Sequence, residues 1–377
     1  MRVATFVTAA TVVVVVGACS PAPSTPVNAR YAPASGTSRP GAIQHAAPGW
    51  WIAKVSDLPG NDVFNDVTVL RGGTVWAVGH REEDGVKRGL VERFDGRSWK
   101  SVADGPPFGL KVITATSDSD VWVFGSSLGV HWDGRSWTNH SLGGSLGGGF
   151  TATDAAGVRG TDVWAVSSSL LAARHWDGTR WTSVPVPGTL QAIDAHADGE
   201  VWAAGSKGHQ PLVVRRNGTA WAEVPLPELK LPSTDALADL DDIAVLGPKD
   251  VWVVGSLSWN RHEDKKPHSR RLSAHWDGTA WTMAVGTADG RRLSQVEADG
   301  TGGVWIVEST WSQNTILWHV TGKTWTKVPL LPNAGTGTVL SSLARQPGTS
   351  TVWAVGSTAS PRGNPDGLSN GTFWRIL

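Results

Sequence analysis

Histidine and aspartate side chains stand two residues apart in a phrase that recurs along the chain. The sequence reads His-Trp-Asp-Gly at residues 131–134, 175–178 and 275–278. A histidine beside a carboxylate could serve as a general acid–base pair, and these three histidines together with His319, at the equivalent place in another unit, could ligate a metal ion. A phrase that returns at similar intervals is instead typical of a structural repeat, whose equivalent positions lie far apart. We therefore interpret it as scaffold and expect neither a metal nor another cofactor.

A second phrase, centred on a Val-Trp pair, divides the chain into seven units. Each unit fits four short strands, A to D, with the Val-Trp pair in strand B and an Asp-Gly turn between C and D. A large apolar residue is expected to open each strand A, namely Phe64, Leu110, Phe150, Leu190, Leu240, Leu293 and Leu340. The strand B tryptophans, 46, 42, 38, 50, 53 and 48 residues apart, are Trp76, Trp122, Trp164, Trp202, Trp252, Trp305 and Trp353.

The seventh unit is incomplete, because the chain stops after its strand C at residues 371–377. Residues 50–55 resemble a strand D that has no strand C before it. A ring closed by this N-terminal strand would leave no unpaired edge between the first and last units. We therefore predict an all-β fold, a seven-bladed β-propeller of four-stranded blades over residues 49–377.

Two columns of side chains follow from this register. Of the 22 tryptophans, 19 fall in strands B, C or D, including one of Trp50 and Trp51, and are expected to wedge between blades. A basic or histidine side chain precedes the aromatic position of every strand C: Arg93, His131, His175, Arg215, His275, His319 and Arg375. Each is expected to meet a polar or acidic partner near strand B, with Asp120, Asp162, Glu200 and Asp250 as candidates.

The N-terminal region predicts export. One arginine precedes an apolar run at residues 3–16, too short for an ordinary membrane span, and small residues lead to the sole cysteine, Cys19. Residues 16–19 resemble a bacterial lipobox, which implies cleavage after residue 18 and lipid attachment to Cys19. An ordinary signal peptide is the other interpretation. Residues 19–48, rich in Pro, Ala and Ser, are expected to form a tether. We thus expect a monomeric, extracytoplasmic, lipid-anchored membrane protein.

Composition excludes several classes of partner and chemistry. The 33 basic and 33 acidic residues balance, which argues against binding to nucleic acid. With one cysteine, the chain can form no internal disulfide and offers no thiolate metal site. No glycine-rich phosphate loop or nucleophile elbow is evident.

The repeat resembles bacterial propellers of the Asp-box, tectonin and kelch-like kind over residues 49–377. In residues 177–181 Asp and Gly are adjacent, whereas the Asp-box has a residue between them. Several of these families bind glycans, so the resemblance implies a binding module without naming a ligand. The tyrosine nucleophile of sialidases and the copper–radical site of galactose oxidase are both ruled out, because the only tyrosine, Tyr31, lies in the tether.

Carboxylates on the strands expected to line the central channel leave one route to catalysis. Two of them could approach as an acid–base pair of a carbohydrate-active hydrolase or lyase. A water-filled channel is also expected to carry polar side chains. The candidates are Asp66, Asp194, Asp241, Asp242 and Glu297.

The segments between strands B and C vary in length and supply the preferred binding hypothesis. Two tryptophans outside the structural columns fall there, in blades five and six, beside charged residues. Exposed aromatic and basic side chains could hold an envelope glycan or a protein partner, although local packing would also explain the tryptophans. The candidate ligand-binding residues are Trp259, Trp311, Arg261, His262 and Arg81.

Overall fold

A computed structural model describes residues 49–56, 58, 61–83, 85–102, 108–125, 127–143, 149–218, 220–260, 268–310, 315–330, 337–359 and 369–377. The predicted signal segment, the tether and Cys19 lie outside these residues. The described chain forms seven four-stranded antiparallel sheets whose inner strands follow one another in a closed ring. The predicted seven-bladed β-propeller is therefore confirmed.

The strands of each blade run in chain order from the channel outward. Blade one has β2 (Asn61–Val69), β3 (Val75–Glu83), β4 (Val86–Phe94) and β5 (Trp99–Ser101). Blade two has β6 (Val112–Ser117), β7 (Asp120–Gly125), β8 (Leu128–Trp132) and β9 (Trp137–Ser141). Blade three has β10 (Asp154–Arg159), β11 (Asp162–Val166), β12 (Ala172–Trp176) and β13 (Trp181–Pro185). Blade four has β14 (Thr189–Ala195), β15 (Val201–Lys207), β16 (Gln210–Asn217) and β17 (Ala220–Glu223).

The remaining three blades include the one that closes the ring. Blade five has β18 (Leu237–Gly247), β19 (Asp250–Trp259), β20 (His268–Trp276) and β21 (Trp281–Ala288). Blade six has β22 (Arg291–Ala298), β23 (Val304–Thr310), β24 (Thr315–Thr321) and β25 (Thr324–Val328). Blade seven has β26 (Thr338–Arg345), β27 (Val352–Ala359) and β28 (Ser369–Ile376), and its outermost strand is β1 (Trp51–Val55).

The N-terminal strand completes the last blade, as the sequence predicted. β1 runs antiparallel to β28, with Trp51 opposite Arg375 and Ile52 opposite Trp374. The described chain therefore begins and ends at the same face of the ring, the one that carries the C–D turns. Hydrogen bonds of β1 cover what would otherwise be the free edge of β28.

The hydrophobic core is divided among seven clusters, each lying between two neighbouring blades. The cluster around Trp164 of blade three, for example, also contains Leu190, Ile193 and Val201 of blade four. Strand B can supply both of its faces to such clusters because it is buried on both sides, as in β11, where all five residues are buried. The predicted wedge role of the strand B tryptophans is confirmed.

Tryptophans of strand D pack edge-on against the strand B tryptophan of the preceding blade. Trp221 meets Trp164 at a centroid distance of 5.2 Å and an interplanar angle of 81°. Trp50 meets Trp305 in the same way, at 5.4 Å and 86°. Such edge-to-face pairs add to the burial of apolar area. Trp50 is therefore the strand D tryptophan of blade seven, whereas Trp51 remains 38% exposed.

Aspartates of the Asp-Gly phrases cap the C–D turns. Asp177 Oδ1 accepts hydrogen bonds from the backbone N–H groups of Thr179 and Arg180, both at 2.9 Å, and from Thr179 Oγ1 at 2.6 Å. Gly178 has a φ of 95°, which a residue with a side chain rarely adopts. The carboxylate in the His-Trp-Asp phrase is therefore part of a turn, and these hydrogen bonds lower its pKa to about 2.

A bulge near the start of each inner strand explains the glycine that follows several Val-Trp phrases. In β18 the register shifts between Leu240 and Asp242, and the carbonyl before the bulge turns toward strand B. A Cβ on Gly255 would lie 2.1 Å from the Asp239 carbonyl oxygen, so only glycine fits opposite. Blade three corrects the predicted register, because Ala152, not Phe150, takes the apolar position before its bulge. Phe150 is buried two residues earlier.

We expect Trp50→Ala to lower the free energy of unfolding by about 3–5 kcal/mol, because it empties a fully buried site at the ring closure. Trp51→Ala is the matched control, and its loss should stay below about 1 kcal/mol because its ring is partly in solvent. Chemical denaturation followed by circular dichroism measures both. Equal losses would contradict the assignment of Trp50 to the seventh inter-blade wedge.

Candidate functional site

Carboxylates of the inner strands surround a cavity of about 380 Å³ along the ring axis. All five carboxylates predicted for the channel line it. Sequence reasoning missed a sixth, Asp154, because the register of blade three was misplaced by two residues. The six are Asp66, Asp154, Asp194, Asp241, Asp242 and Glu297, and the basic side chains of the lining are Lys111 and Arg345.

In four of these aspartates, one carboxylate oxygen accepts a hydrogen bond within its own strand and the other accepts one from the next blade. Asp66 accepts the N–H of Val67, its own neighbour in the strand, and the N–H of Ile113 in blade two, each at 2.8 Å. Asp154, Asp194 and Asp242 make the same pair of bonds, at 2.7–2.9 Å, within their own strand and to the next blade. Both oxygens of each of these four aspartates are therefore engaged by backbone amides.

These inter-blade bonds alternate between two levels of the channel. Asp66, Asp154 and Asp242 lie at the upper level, opposite the residue two places after the strand B tryptophan. Asp194 lies at the lower level, opposite the tryptophan itself, as do Thr114 and Glu297. Thr114 Oγ1 accepts the N–H of Gly157 in blade three, and a backbone hydrogen bond joins Glu297 to Arg345 in blade seven.

An odd number of blades interrupts the alternation at one place. The bond from blade seven to blade one and the bond from blade one to blade two both lie at the upper level. Ser342 Oγ accordingly donates to Asp66 Oδ1 at 2.6 Å, so a hydroxyl that bonds a carboxylate takes the place of a carboxylate that bonds an amide. We call this ring of side chains the carboxylate belt: Asp66, Thr114, Asp154, Asp194, Asp242, Glu297 and Ser342.

Burial raises the pKa values of the belt carboxyls. The pKa of Asp66 rises to about 6, and that of Glu297 rises from 4.5 to about 7, with the charge of Asp194 adding to the effect on Glu297. The pKa of Asp242 lies well above its usual value because burial is reinforced by the charge of Asp154. Part of the belt is therefore protonated near neutral pH.

The bulge residues form a second, polar ring at the end of the channel where the inner strands begin, which we call the channel mouth. All seven are polar: Asn65, Lys111, Thr153, Gln191, Asp241, Ser294 and Ser341. Asp241 differs from the belt carboxylates, because its Oδ2 is buried and has no hydrogen-bond partner among the described residues. Burial raises its pKa to about 7, with Arg292 opposing and Asp239 adding to the rise.

The histidine and the aspartate of a His-Trp-Asp phrase make separate contacts, the histidine with strand B and the aspartate within the C–D turn. His175 lies opposite Trp164 and stacks on it, with centroids 4.2 Å apart, and its Nε2 is hydrogen-bonded to Asp162 at 3.0 Å. The predicted pairing with an acid is confirmed for six of the seven column residues: Arg93–Asp118, His131–Asp120, His175–Asp162, Arg215–Glu200, His275–Asp250 and His319–Asp299. The seventh, Arg375, lies 5.0 Å over the Trp353 ring.

The predicted loop site is only partly within the described chain. The expectation that Trp259 is exposed is wrong, since its side chain is 6% exposed. The β19–β20 ladder extends to the pair Trp259 and His268, whose rings stack at 5.5 Å, and Arg270 covers the indole at 5.4 Å. Arg81 lies in β3 opposite Arg88. Arg261, His262 and Trp311 lie outside the described residues.

Within the ranges given above, no group of three or more His, Cys, Asp and Glu side chains is arranged to hold a metal ion. The described chain also has no helix with the length and apolarity needed to span a bilayer.

Comparison with known proteins places the chain among the β-propellers. No protein-family model matches it, and no curated protein matches it either. Similar solved structures include YCF48 bound to D1 peptide (15% identity, 89% of this chain and 98% of that one, TM-score 0.56). A chain of the mitotic checkpoint complex is also similar (15% identity, 90% of this chain and 99% of that one, TM-score 0.56). A third is Staphylococcus aureus virginiamycin B lyase (12% identity, 87% of this chain and 99% of that one, TM-score 0.55). At these identities the similarity establishes the fold alone.

We expect the carboxylate belt to make stability fall as pH rises between about 4.5 and 7. The folded-state pKa of Glu297 is raised, so its contribution is present below 4.5 and is lost as the pH passes 7. Glu297→Gln keeps the hydrogen-bond acceptor but cannot ionise, so its advantage over wild type should grow to roughly 3 kcal/mol by pH 8.

Urea denaturation between pH 4.5 and 8 measures this difference. Glu228→Gln, a change at an exposed glutamate, is the control and should give a curve parallel to that of wild type. Parallel curves for Glu297→Gln and wild type would show that Glu297 is not ionising in the folded protein as inferred.

Proposed function

We propose that the propeller is a noncatalytic binding module that holds a protein partner on the face opposite the C–D turns. One observation carries this proposal: the B–C hairpins rise to very different heights on that face. On a rigid ring, segments of this kind are where binding specificity commonly lies.

The hairpin heights can be measured from the strand B tryptophans. β3 and β19 end seven residues beyond their tryptophans, at Glu83 and Trp259, and β27 ends six beyond, at Ala359. β11 ends only two residues beyond Trp164, at Val166. At about 3.3 Å per residue, five extra residues raise a hairpin by roughly 16 Å. β15 and β23 each end five residues beyond their tryptophans, at Lys207 and Thr310. Blades four to seven and one thus form a wall, and blades two and three form the low side.

A recess lies on the low side of this wall. Its volume is about 380 Å³, and blades two to five contribute to its lining. The polar groups around it include Lys111, Thr153, Ser168, Ser169, Gln191 and Asp241. A wall beside a polar recess suits a protein segment that approaches from the low side.

The channel chemistry favours binding over hydrolysis. Four belt aspartates hold backbone amides with both oxygens, which supports a structural role for the carboxylates once considered as an acid–base pair. A protein partner is preferred to a glycan because Trp259, the proposed sugar-stacking ring, is buried. YCF48 with its D1 peptide and the mitotic checkpoint complex are examples of the same fold in protein assemblies.

We also propose that the protein is exported and anchored through a lipid on Cys19 as a monomer. The chain enters the propeller at the C–D face, where β1 begins beside the end of β28. Attachment through that face would leave the hairpin wall free for a partner. Retention of the protein in membranes of cells treated to remove peripheral proteins, and its release on Cys19→Ala, tests the anchor.

The partner face is tested with a photo-crosslinking amino acid at Val86, which is 50% exposed in the blade-one hairpin. We expect a discrete protein adduct from this position in cells that produce the protein. The control position, Arg180, is exposed on the C–D face and should give no such adduct.

The double change Lys87→Glu and Arg88→Glu should reduce the yield of this adduct about tenfold or more, because both exposed charges lie on the wall. Equal adducts from both faces, or a glycan recovered in place of a protein, would contradict the proposal.

A further inference from the structure

Two carboxylates of blade five keep an oxygen without a hydrogen-bond partner among the described residues. Both atoms, Asp241 Oδ2 and Asp239 Oδ1, are buried. The two residues are two positions apart on β18. The charge of Asp239 raises the pKa of Asp241, because the protein interior screens charges less than water does. Buried polar atoms of folded proteins nearly always have a partner, so a pair of free acceptors in one place indicates a missing donor.

The neighbouring carboxylate belt supplies no donor to these two oxygens. Asp242, the next residue, holds the N–H groups of Ile243 and Val296 with its two oxygens. Asp241 is the bulge residue, so its side chain reaches the channel mouth, where it lines both the channel and the recess. Asp239 is oriented by Gln191, whose Nε2 donates to its Oδ2 at 3.0 Å.

Carboxyl groups outnumber basic side chains around this pair. Six carboxylates and two basic side chains line the channel. Lys111 is exposed at the far side of the mouth, and Arg292 donates its Nε–H to Ser309 Oγ at 3.2 Å while lowering the pKa of Asp241 only in part. An added positive charge would therefore be attracted to the pair.

We propose that Asp241 and Asp239 form a recognition site for one basic side chain, an ammonium or guanidinium group, of the partner bound at the hairpin face. The proposal rests on the proposed function, and it names the chemistry by which that partner is held. The site consists of Asp241 and Asp239 as acceptors, Gln191 as the residue that orients Asp239, and the polar recess as the entrance.

A basic side chain fits better than a metal ion. Among the described residues no cluster of His, Cys, Asp and Glu provides three ligands, and the belt carboxylates are occupied by amides. An ammonium carries three N–H donors and a guanidinium five, so either has enough donors for both free oxygens. Charge-assisted hydrogen bonds of this kind are about twice as strong as neutral ones.

The test is isothermal titration calorimetry of the full-length protein in detergent with three probes. N-acetyl-arginine amide and N-acetyl-lysine amide carry the charge, whereas N-acetyl-norleucine amide has a similar chain without it. We expect one of the charged amides to bind at least about tenfold more tightly than the neutral one. Similar affinities for all three would overturn the assignment to a partner side chain.

Variants locate the binding within the ring. Asp241→Asn should lose about tenfold or more in affinity for the charged amide, and Asp239→Asn should lose a comparable factor. Asp198→Asn, at an exposed turn of blade four on the opposite face, is the control and should bind as wild type does. If Asp241→Asn does not fold, the site is tested by the affinity of Asp239→Asn for the charged amide, compared with its affinity for the neutral amide. Unchanged affinity in both folded variants would overturn the site.

This result can be separated from the test of the partner face. Binding of charged amides without a crosslinked protein would reject the proposed function but keep the cation site. A crosslinked protein whose yield is unaffected by Asp241→Asn and Asp239→Asn would keep the function and reject the cation site.

Discussion

The propeller depends on the hydrogen bonds that side chains of the inner strands make to the next blade. Neighbouring blades share no β-ladder, so packing alone would leave the amides near the channel without partners. Side chains of the belt accept such an amide at six interfaces, five of them with carboxylates buried close to one another, and Ser342 joins the seventh interface by donating to Asp66. The belt carboxylates therefore repel one another at the centre of the fold, while their hydrogen bonds define the spacing between blades.

This arrangement separates structure from recognition within a few residues of one strand. Asp242 and Asp241 are adjacent in β18, yet the bulge turns one to the next blade and the other to the channel mouth. The bulge also explains why Gly255 is required opposite. The carboxylates that seemed the best sequence evidence for catalysis are thus divided between holding the ring together and presenting charge at its opening.

Much of the architecture was predictable because side-chain volume and strand period are local properties. The regular spacing of the tryptophans predicted seven blades. Trp50, together with residues 371–377, predicted how the ring closes. The position of Ala152 was not predictable, because a glycine-rich connector precedes it and Phe150 offered a larger apolar side chain. The exposure of Trp259 was predicted wrongly because the β19–β20 ladder is longer than in most blades and ends with Trp259 paired to His268. Spacing within the repeat does not reveal that contact. The bulges depend on backbone hydrogen bonds and leave no signal except the recurring glycine.

Similarity to YCF48 and to virginiamycin B lyase at comparable TM-scores shows why the fold cannot decide the function. One is a protein bound to a peptide and the other is a lyase. The features of this chain that bear on its function are the uneven height of its hairpins and the two carboxylate oxygens of blade five that have no partner among the described residues. Both features belong to individual blades and not to the repeat.

The pairing of β1 with β28 has a consequence for how the chain folds. Trp51 lies opposite Arg375, so the strand that is synthesised first acquires its partner last. Blades one to six can form from local contacts as the chain emerges, whereas closure must bring together segments at opposite ends of the domain, at a large cost in chain entropy. Until then the wedge between Trp305 and Trp50 is missing, and an unclosed ring exposes one side of blade six and a free edge of blade seven. Closure is thus the slow step, and during it the chain is most vulnerable to proteolysis and aggregation.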